Sequence, residues 1–223
     1  MGITKTDFMR GMQCPKMLWL DRHKPELKDI SQETLKLLED GNKFGDNAMG
    51  IFGPYIEVKE YYENTSIPNK VAMAKKTKEL LEEHTPVICE AAFMDASGNY
   101  CAVDILKYDK ETNTYVLFEV KNCPSVQTQH IQDATYQAEL GRKLGLDIKN
   151  VYVIYHKDDS EQPYAIQNVT NESSSYENYI KDNIDRLNAV KNQEFEPVCS
   201  MGNHCNSPYE CWYYNYCSKQ NND

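Results

Sequence analysis

Apolar and polar residues alternate along four short segments in the middle of the chain, and this alternation predicts β-strands. Valine, isoleucine, phenylalanine and tyrosine, which favour strands, are frequent in all four. The segments are Val87–Met94, Tyr100–Tyr108, Tyr115–Lys121 and Asn150–His156. Turn-forming residues separate the first three segments, so we expect these strands to form a consecutive meander.

Apolar residues at spacings of three and four predict helices before and after the meander. The six helical segments are Lys5–Met12, Lys16–Arg22, Ser31–Met49, a segment from Pro68 that ends before Pro86, Gln129–Leu144 and Ser175–Lys191. On the fifth of these, Ala134, Gln137, Ala138 and Gly141 share one face. Because three of the four are small, this helix can lie close to the sheet, with Gln137 as the one polar side chain on that face.

The order of these elements predicts an α/β fold in which a mixed β-sheet is flanked by helices. A helical N-terminus precedes the sheet, and a loop-like, cysteine-rich tail follows Pro197. We predict a further loop at the acidic segment Asp158–Glu161. With 223 residues the chain can form one large domain or two small ones.

Composition and charge narrow the classes of function. No run of 18 apolar residues and no apolar segment near the start are present, so we expect a cytoplasmic protein without a membrane partner. The net charge of −10 argues against indiscriminate binding to nucleic acid. Residues 1–24, however, carry five Lys/Arg against two acids, and this local basic arm allows a nucleic-acid groove on an acidic body.

The eight cysteines fall into two groups by their surroundings. Cys89, Cys101 and Cys123 lie in or beside predicted strands, where we expect them to be core or near-core residues. The other five lie in polar, turn-rich or terminal segments, and they are Cys14, Cys199, Cys205, Cys211 and Cys217. In a reducing compartment such cysteines are more often metal ligands than disulfide partners.

Acidic residues on the predicted meander form a candidate catalytic site. Glu119 and Lys121 lie two residues apart on one strand and therefore point to the same face, while Asp104 lies on the adjoining strand. Glu90 interrupts an apolar run on the first strand and is either a residue at a strand edge or a third acid of the site. A Glu-x-Lys pair is common on solvated strands, so the triplet alone does not establish catalysis.

The chain as a whole resembles a known family. The motifs that carry the resemblance are Val103-Asp104, Glu119-Val120-Lys121, Tyr136-Gln137, the N-terminal Gln13-Cys14-Pro15-Lys16-x-Leu18-Trp19-Leu20 and the C-terminal His204-Cys205-x-x-Pro208-Tyr209-Glu210-Cys211-x5-Cys217. From about residue 3 to 217 the sequence is similar to RecB-like PD-(D/E)XK nucleases with an iron–sulfur cluster, such as the CRISPR-associated Cas-four exonucleases. The resemblance implies a restriction-endonuclease-like core.

The resemblance also implies roles for individual residues. Mg²⁺ or Mn²⁺ would be held by Glu90, Asp104, Glu119 and the carbonyl group of Val120. Lys121 would hold the attacking water or the developing charge, and Gln137 with Tyr136 would brace the site or the substrate strand. Many RecB-like exonucleases carry a histidine on an N-terminal helix where this chain has Gly45, which leaves open whether one metal ion or two are bound.

A [4Fe–4S] cluster is the second cofactor that the resemblance implies. Its ligands would be Cys14, Cys205, Cys211 and Cys217. Four thiolates suit a structural Zn²⁺ equally well by spacing, and the resemblance favours the iron–sulfur cluster. Cys199 fits no position of the family pattern, so we interpret it as a spare thiol, with a substitute ligand as the less favoured alternative. We interpret His204 as a residue that orients the cysteine loop.

We therefore expect a metal-dependent deoxyribonuclease, an exonuclease that acts on single-stranded or frayed DNA ends. Its predicted organisation is a single nuclease domain over 1–223, with 85–160 as the catalytic core and with 1–30 and 197–217 forming the cluster lobe. The residues expected to contact nucleic acid are Lys5, Arg10, Lys16 and Arg22 at phosphates and Trp19 at bases. CRISPR adaptation and DNA repair both remain open as its setting. The alternative is a non-catalytic iron–sulfur module that binds DNA or a partner within a DNA-processing complex.

Overall fold

A computed structural model describes residues 2–157 and 163–220. The helices are α1 (Lys5–Gln13), α2 (Pro15–His23), α3 (Gln32–Ala48), α4 (Lys70–Glu82), α5 (Thr128–Lys143), α6 (Thr170–Asn192) and α7 (Tyr214–Gln220). The strands are β1 (Ile56–Glu57), β2 (Val87–Met94), β3 (Tyr100–Asp109), β4 (Thr114–Lys121), β5 (Ile148–His156) and β6 (Tyr164–Asn168). None of the helices within these ranges is both long and apolar enough to cross a membrane. The predicted loop at Asp158–Glu161 lies outside the described residues.

The strands form one mixed sheet in the order β1-β2-β3-β4-β5-β6. β2, β3 and β4 pair antiparallel, as the predicted meander requires, and β5 joins β4 in parallel. β1 and β6 complete the two edges, parallel to β2 and antiparallel to β5 respectively. The predicted α/β fold, a mixed sheet flanked by helices, is therefore confirmed.

Three parts of the fold differ from the prediction. β6 was not predicted, and α7 lies in the tail that we predicted to be a loop. The last long helix, α6, begins at Thr170 rather than at Ser175. Its first turns are polar, but Ser173 is fully buried there and accepts a hydrogen bond from Thr135 of α5 at 3.0 Å. Tertiary packing therefore supports a helical start that local propensity does not favour.

Two apolar layers lie on opposite faces of the sheet. The larger layer joins the sheet to α1, α4, α5 and α6, with fully buried Phe8, Leu80 and Ile180 among its members. The smaller layer packs Met49, which follows α3, against strand residues such as Phe118 and Ile154. The helices of the larger layer therefore cover the face toward which Glu119 points.

The alternation of side chains is interrupted at one level of β2 and β3. On β2, Ile88 and Ala91 both face the larger layer although they are three residues apart. Glu90 lies between them with a φ of +55°, a left-handed conformation that is uncommon for a residue other than glycine. The pairing of β2 with β3 is broken at the same level, between Cys89↔Ile105 and Ala91↔Val103. Glu90 and Asp104 thus occupy a local distortion of the sheet.

The small-residue face of α5 makes a testable contribution to stability. A Cβ atom at Gly141 would lie 2.5 Å from Cδ1 of Ile148 and 2.9 Å from Cε2 of Phe93. We expect Gly141→Ala to lower the free energy of unfolding, measured by urea denaturation, by about 1–3 kcal/mol because it overpacks the layer. Gly45→Ala on α3 is the matched control, since a Cβ there meets nothing within 4 Å, and it should raise stability by up to about 1 kcal/mol. Equal effects of the two substitutions would contradict the close packing of α5.

Candidate functional site

Glu119 and Lys121 project from the end of β4 beneath α5. Glu119 is fully buried, and the Lys121 ammonium lies 2.5 Å from its Oε1 atom. The same ammonium lies 2.5 Å from Oδ2 of Asp133 on α5. The carboxylate of β4 and that of α5 therefore share one lysine between sheet and helix.

The small-residue face of α5 also brings Gln137 to the site. Its Nε2 donates a hydrogen bond to Oε2 of Glu119, and it lies 3.5 Å from Oδ1 of Asp133, one turn earlier on the helix. Sequence reasoning missed Asp133. The signal that could have identified it is the spacing of four residues to Gln137, which places both on one side of the helix. Within the described ranges, the buried Oε1 of Gln137 has no hydrogen-bond partner.

Lys5 enters the same site from the start of α1. Its Nζ lies 3.3 and 3.4 Å from the two oxygens of Glu119, and 3.6 Å from Oδ1 of Asp133. Thr4 positions it as the N-cap of α1, in a capping box with Asp7. We refer to Lys5, Asp104, Glu119, Lys121, Asp133 and Gln137 as the carboxylate–lysine cluster.

Tyr136 supports this cluster from behind. It is 1% exposed, and its hydroxyl group donates a hydrogen bond to the carbonyl oxygen of Ile3 at 2.8 Å. The tyrosine therefore holds the segment that carries Lys5. The expected contact of Tyr136 with a substrate strand is not available to a side chain in this position.

Asp104 approaches the cluster from β3 at the point where β3 and β4 separate. Their pairing ends at Ile105↔Phe118, and Oδ2 of Asp104 then accepts a hydrogen bond from the backbone N–H of Val120 at 2.6 Å. The carboxyl group thus continues the contact between the strands. The carbonyl group of Val120 stays a predicted metal ligand.

Burial and neighbouring charges shift the pKa values of the two strand carboxyl groups of the cluster in opposite directions. Burial and the neighbouring Glu119 carboxylate raise the pKa of Asp104 to about 8. Burial acts in the same direction on Glu119, but the ammoniums of Lys121 and Lys5 and the hydrogen bond from Gln137 outweigh it and lower that pKa. Of the two neighbouring carboxyl groups, Asp104 is therefore the one that holds its proton more tightly.

The other members of the site are shifted by the same neighbours. Burial and Glu119 raise the pKa of Asp133. Burial alone would lower the pKa of Lys121, but Asp133 and Glu119 raise it, so this lysine remains charged. Burial also raises the pKa of Glu90, which lies near enough to Lys5 and Glu119 for both charges to affect it.

The donor atoms of the cluster suit a hard divalent cation. Carboxyl oxygens of Asp104 and Glu119 and the unpartnered Oε1 of Gln137 are the ligand type that Mg²⁺ and Mn²⁺ prefer. Neither Glu90 nor Asp133 joins Asp104 and Glu119 in a group of three carboxyl oxygens mutually within 4.8 Å. Lys5 and Lys121 provide positive charge beside Glu119 in the absence of a metal ion.

Most residues predicted to contact nucleic acid interact within the protein. The five are Lys5, described above, and Arg10, Lys16, Trp19 and Arg22. Arg10 pairs with Asp21 at 2.5 Å, and Lys16 pairs with Glu196 at 2.8 Å. Trp19 is 5% exposed and stacks on a histidine ring, so base stacking on it is excluded in this conformation. The arginine at position 22 is exposed.

A second group of functional side chains lies where the two ends of the described chain meet. Five of the eight cysteines line one small cavity together with His204, and we call this group the cysteine lobe: Cys14, Cys199, His204, Cys205, Cys211 and Cys217. Gln13 fastens the lobe to α1, because its Nε2 donates to the carbonyl oxygens of His204 and Tyr209, both at 2.7 Å. Such a set of thiols and an imidazole can bind a metal.

Cys199 corrects the sequence interpretation. Its Sγ lies 3.8 Å from Sγ of Cys14 and 3.6 Å from Nε2 of His204, so it is not a spare thiol apart from the others. Among the described residues, Cys14, Cys199 and His204 are the group of three whose ligand atoms all lie within 4.8 Å of one another.

Comparisons with known proteins bear on the fold. No protein-family model matches the sequence, and no curated protein matches it significantly. A crystal structure from Eubacterium rectale, of a protein provisionally named an exonuclease, is 10% identical, with a TM-score of 0.50 over 93% of this chain and 88% of that chain. The crystal structure of SSO0001 is 12% identical, with a TM-score of 0.44 over 96% of this chain and 82% of that chain. The Eubacterium rectale structure therefore shares the overall fold of this chain.

Proposed function

We propose that this protein is a metal-dependent DNA nuclease of the RecB-like PD-(D/E)XK type, acting on single-stranded or frayed ends. The observation that carries the proposal is the carboxylate–lysine cluster. Buried Glu119 contacts Lys121 at 2.5 Å and accepts a hydrogen bond from Gln137, and Asp104 adjoins them through the Val120 backbone. The name of the Eubacterium rectale protein, which shares the fold, agrees with this reaction class.

The reaction class follows from the chemistry of these groups. Mg²⁺ or Mn²⁺, held by Asp104 and Glu119 with Glu90 and the Val120 carbonyl as further candidate ligands, would act as a Lewis acid and lower the pKa of water. A cation held here would lower the pKa of Asp104, because its positive charge would oppose the effects of burial and of Glu119 that raise it. Lys121 orients the attacking water and offsets the charge that develops on phosphate oxygen. The water would lose a proton to solvent as it forms the new P–O bond. The bond to the leaving sugar oxygen would break, and that oxygen would take up a proton from solvent.

The cysteine lobe gives the proposed nuclease a structural metal centre. We propose that Cys14, Cys205, Cys211 and Cys217 can hold a [4Fe–4S] cluster, since these four thiols line one cavity. Cys14 comes from the start of the chain and the other three from its end. A metal centre here would therefore join segments that are almost the whole chain apart.

A cleavage assay tests the proposed activity. Protein purified without oxygen should shorten single-stranded DNA with Mn²⁺ and not with a chelator present. Lys121→Met should reduce the rate about 10²–10³-fold because the developing charge loses its ammonium. Lys43→Met is the matched control, since Lys43 is exposed on α3 and pairs only with exposed Glu39 among the interactions described. Cleavage that survives in Lys121→Met at the native rate would contradict the proposal.

One observation favours the alternative of a non-catalytic binding module. Lys5 and Lys121 both lie within ion-pair distance of Glu119, so two protein ammoniums already offset the charge that a bound cation would offset. If this alternative is right, the protein binds single-stranded DNA in Mn²⁺ without shortening it, and Lys121→Met leaves the affinity unchanged. Titrating single-stranded DNA with the protein in Mn²⁺, and measuring both the bound fraction and the length of the DNA, separates the two functions.

A further inference from the structure

Three donor atoms of the cysteine lobe surround a single point. Sγ of Cys14 lies 3.8 Å from Sγ of Cys199, and that Sγ lies 3.6 Å from Nε2 of His204. All three atoms lie within 4.8 Å of one another. Sγ of Cys205 lies 3.8 Å from the same Nε2 atom, on a side chain that is buried in the lobe.

These separations match the edges of a tetrahedral zinc site. With Zn–S of about 2.3 Å and Zn–N of about 2.0–2.1 Å, a tetrahedron has S···S edges of about 3.8 Å and S···N edges of about 3.6 Å. A cubane cluster keeps its thiolates apart by the width of its inorganic core, so two of its ligand sulfurs do not touch. A disulfide needs sulfurs about 2.05 Å apart, and the cysteines of the lobe are free thiols.

We propose that Cys14, Cys199, His204 and Cys205 form a mononuclear site for a thiophilic divalent ion of the Zn²⁺ class. Cys205, whose Sγ lies 3.8 Å from Nε2 of His204, would supply the fourth ligand once its thiol moves toward those of Cys14 and Cys199. Cys211 and Cys217 line the same cavity but do not belong to this ligand set. The site shares Cys14 and Cys205 with the proposed iron–sulfur cluster, so the two metal centres exclude each other.

The consequence is a lobe that holds its two chain ends together with either metal centre. Cys199 and His204 are ligands of the mononuclear ion only, whereas Cys211 and Cys217 are ligands of the cluster only. Both centres use Cys14, the N-terminal ligand. The inference does not depend on nuclease activity, because the carboxylate–lysine cluster is built from other residues.

Cobalt is a suitable probe, since Co²⁺ takes the ligands of Zn²⁺ and its absorption reports tetrahedral geometry and thiolate ligation. Metal-free, reduced full-length protein would be titrated with Co²⁺ and then with Zn²⁺ as competitor. We expect Cys199→Ser and His204→Ala to weaken Co²⁺ binding at least about 100-fold and to lose the tetrahedral bands. Cys211→Ser and Cys217→Ser should bind Co²⁺ as the native protein does, while losing iron after anaerobic reconstitution.

Cys123→Ser is the control for the loss of one thiol, because Cys123 follows β4 outside the lobe. Circular dichroism of each metal-free variant establishes that it is folded before titration. Native-like Co²⁺ binding by Cys199→Ser and His204→Ala overturns the inference. Equal loss of Co²⁺ binding in all four lobe variants overturns it as well, because the ligand set would then extend to Cys211 and Cys217. DNA cleavage, measured separately, decides the proposed nuclease function and not this site.

Discussion

Replacing Glu119 by Gln is expected to abolish DNA cleavage and to lower the free energy of unfolding by about 3–5 kcal/mol. Glu119 is fully buried and is the carboxylate shared by Lys5, Lys121 and Gln137. Its neutral amide would leave two ammoniums with Asp133 as their remaining close carboxylate. Removing one partner of a buried ion pair costs more than the pair contributes, because the other charge stays desolvated.

Asp104→Asn is the matched variant. It should also abolish cleavage, but it should raise the free energy of unfolding where Glu119→Gln lowers it. The pKa of Asp104 is about 8 in the folded protein against an ordinary 3.8, so the folded state binds the proton more tightly than the unfolded state. The native protein therefore loses stability as pH rises from about 4 to about 8. Asn does not titrate and keeps an oxygen for the Val120 N–H, so the variant should gain on the order of 2 kcal/mol relative to native by pH 8.

Urea denaturation of metal-free protein across pH 2–9 measures both effects. The penalty of Glu119→Gln should shrink below the ordinary Glu pKa of 4.5, because the stabilisation from a depressed pKa is lost as pH falls. Mn²⁺ should raise the melting temperature of the native protein and of neither variant. A destabilised Asp104→Asn at pH 8, or an unaffected Glu119→Gln, would show that the charges of the cluster are assigned wrongly.

Removing the proposed metal centre of the cysteine lobe is expected to cause the second largest loss of stability. Cys14 is the ligand from the N-terminal end, and it belongs to both the proposed cluster and the mononuclear site. Losing a link between residues near 14 and near 205 releases a loop of most of the chain. A cross-link that closes so long a loop contributes about 4 kcal/mol, so Cys14→Ser should lower the free energy of unfolding by about that amount.

A chelator should produce the same loss in the native protein and no further loss in Cys14→Ser. Cys123→Ser again serves as the control, and it should respond to the chelator as the native protein does. Differential scanning calorimetry with and without chelator measures all of these changes. A melting temperature of the native protein that is insensitive to metal removal would show that the lobe is held by apolar packing alone.

Local patterns in the sequence were sufficient for much of the fold and for part of the site. Strand alternation placed Glu119 and Lys121 on one face, and helical spacing put Gln137 on the face of α5 that packs there, as the hydrogen bond between Gln137 and Glu119 shows. These predictions succeeded because each depends on the periodicity of a single regular element. Catalysis by these residues stays a prediction that the assays above test.

The remaining features depend on contacts between segments distant in sequence. Lys5 and Glu119 are 114 residues apart in the sequence, and Cys14 and Cys199 are 185 residues apart. No local spacing therefore predicts either pair. Glu90 has a left-handed conformation, and this breaks the alternation of side chains that the strand pattern assumes. It lies where the pairing of β2 with β3 is interrupted, between Cys89↔Ile105 and Ala91↔Val103. Residue types and the faces on which they lie follow from local periodicity. Which of these faces meet depends on packing between elements, because the burial that offsets an unfavourable conformation such as that of Glu90 comes from other parts of the chain.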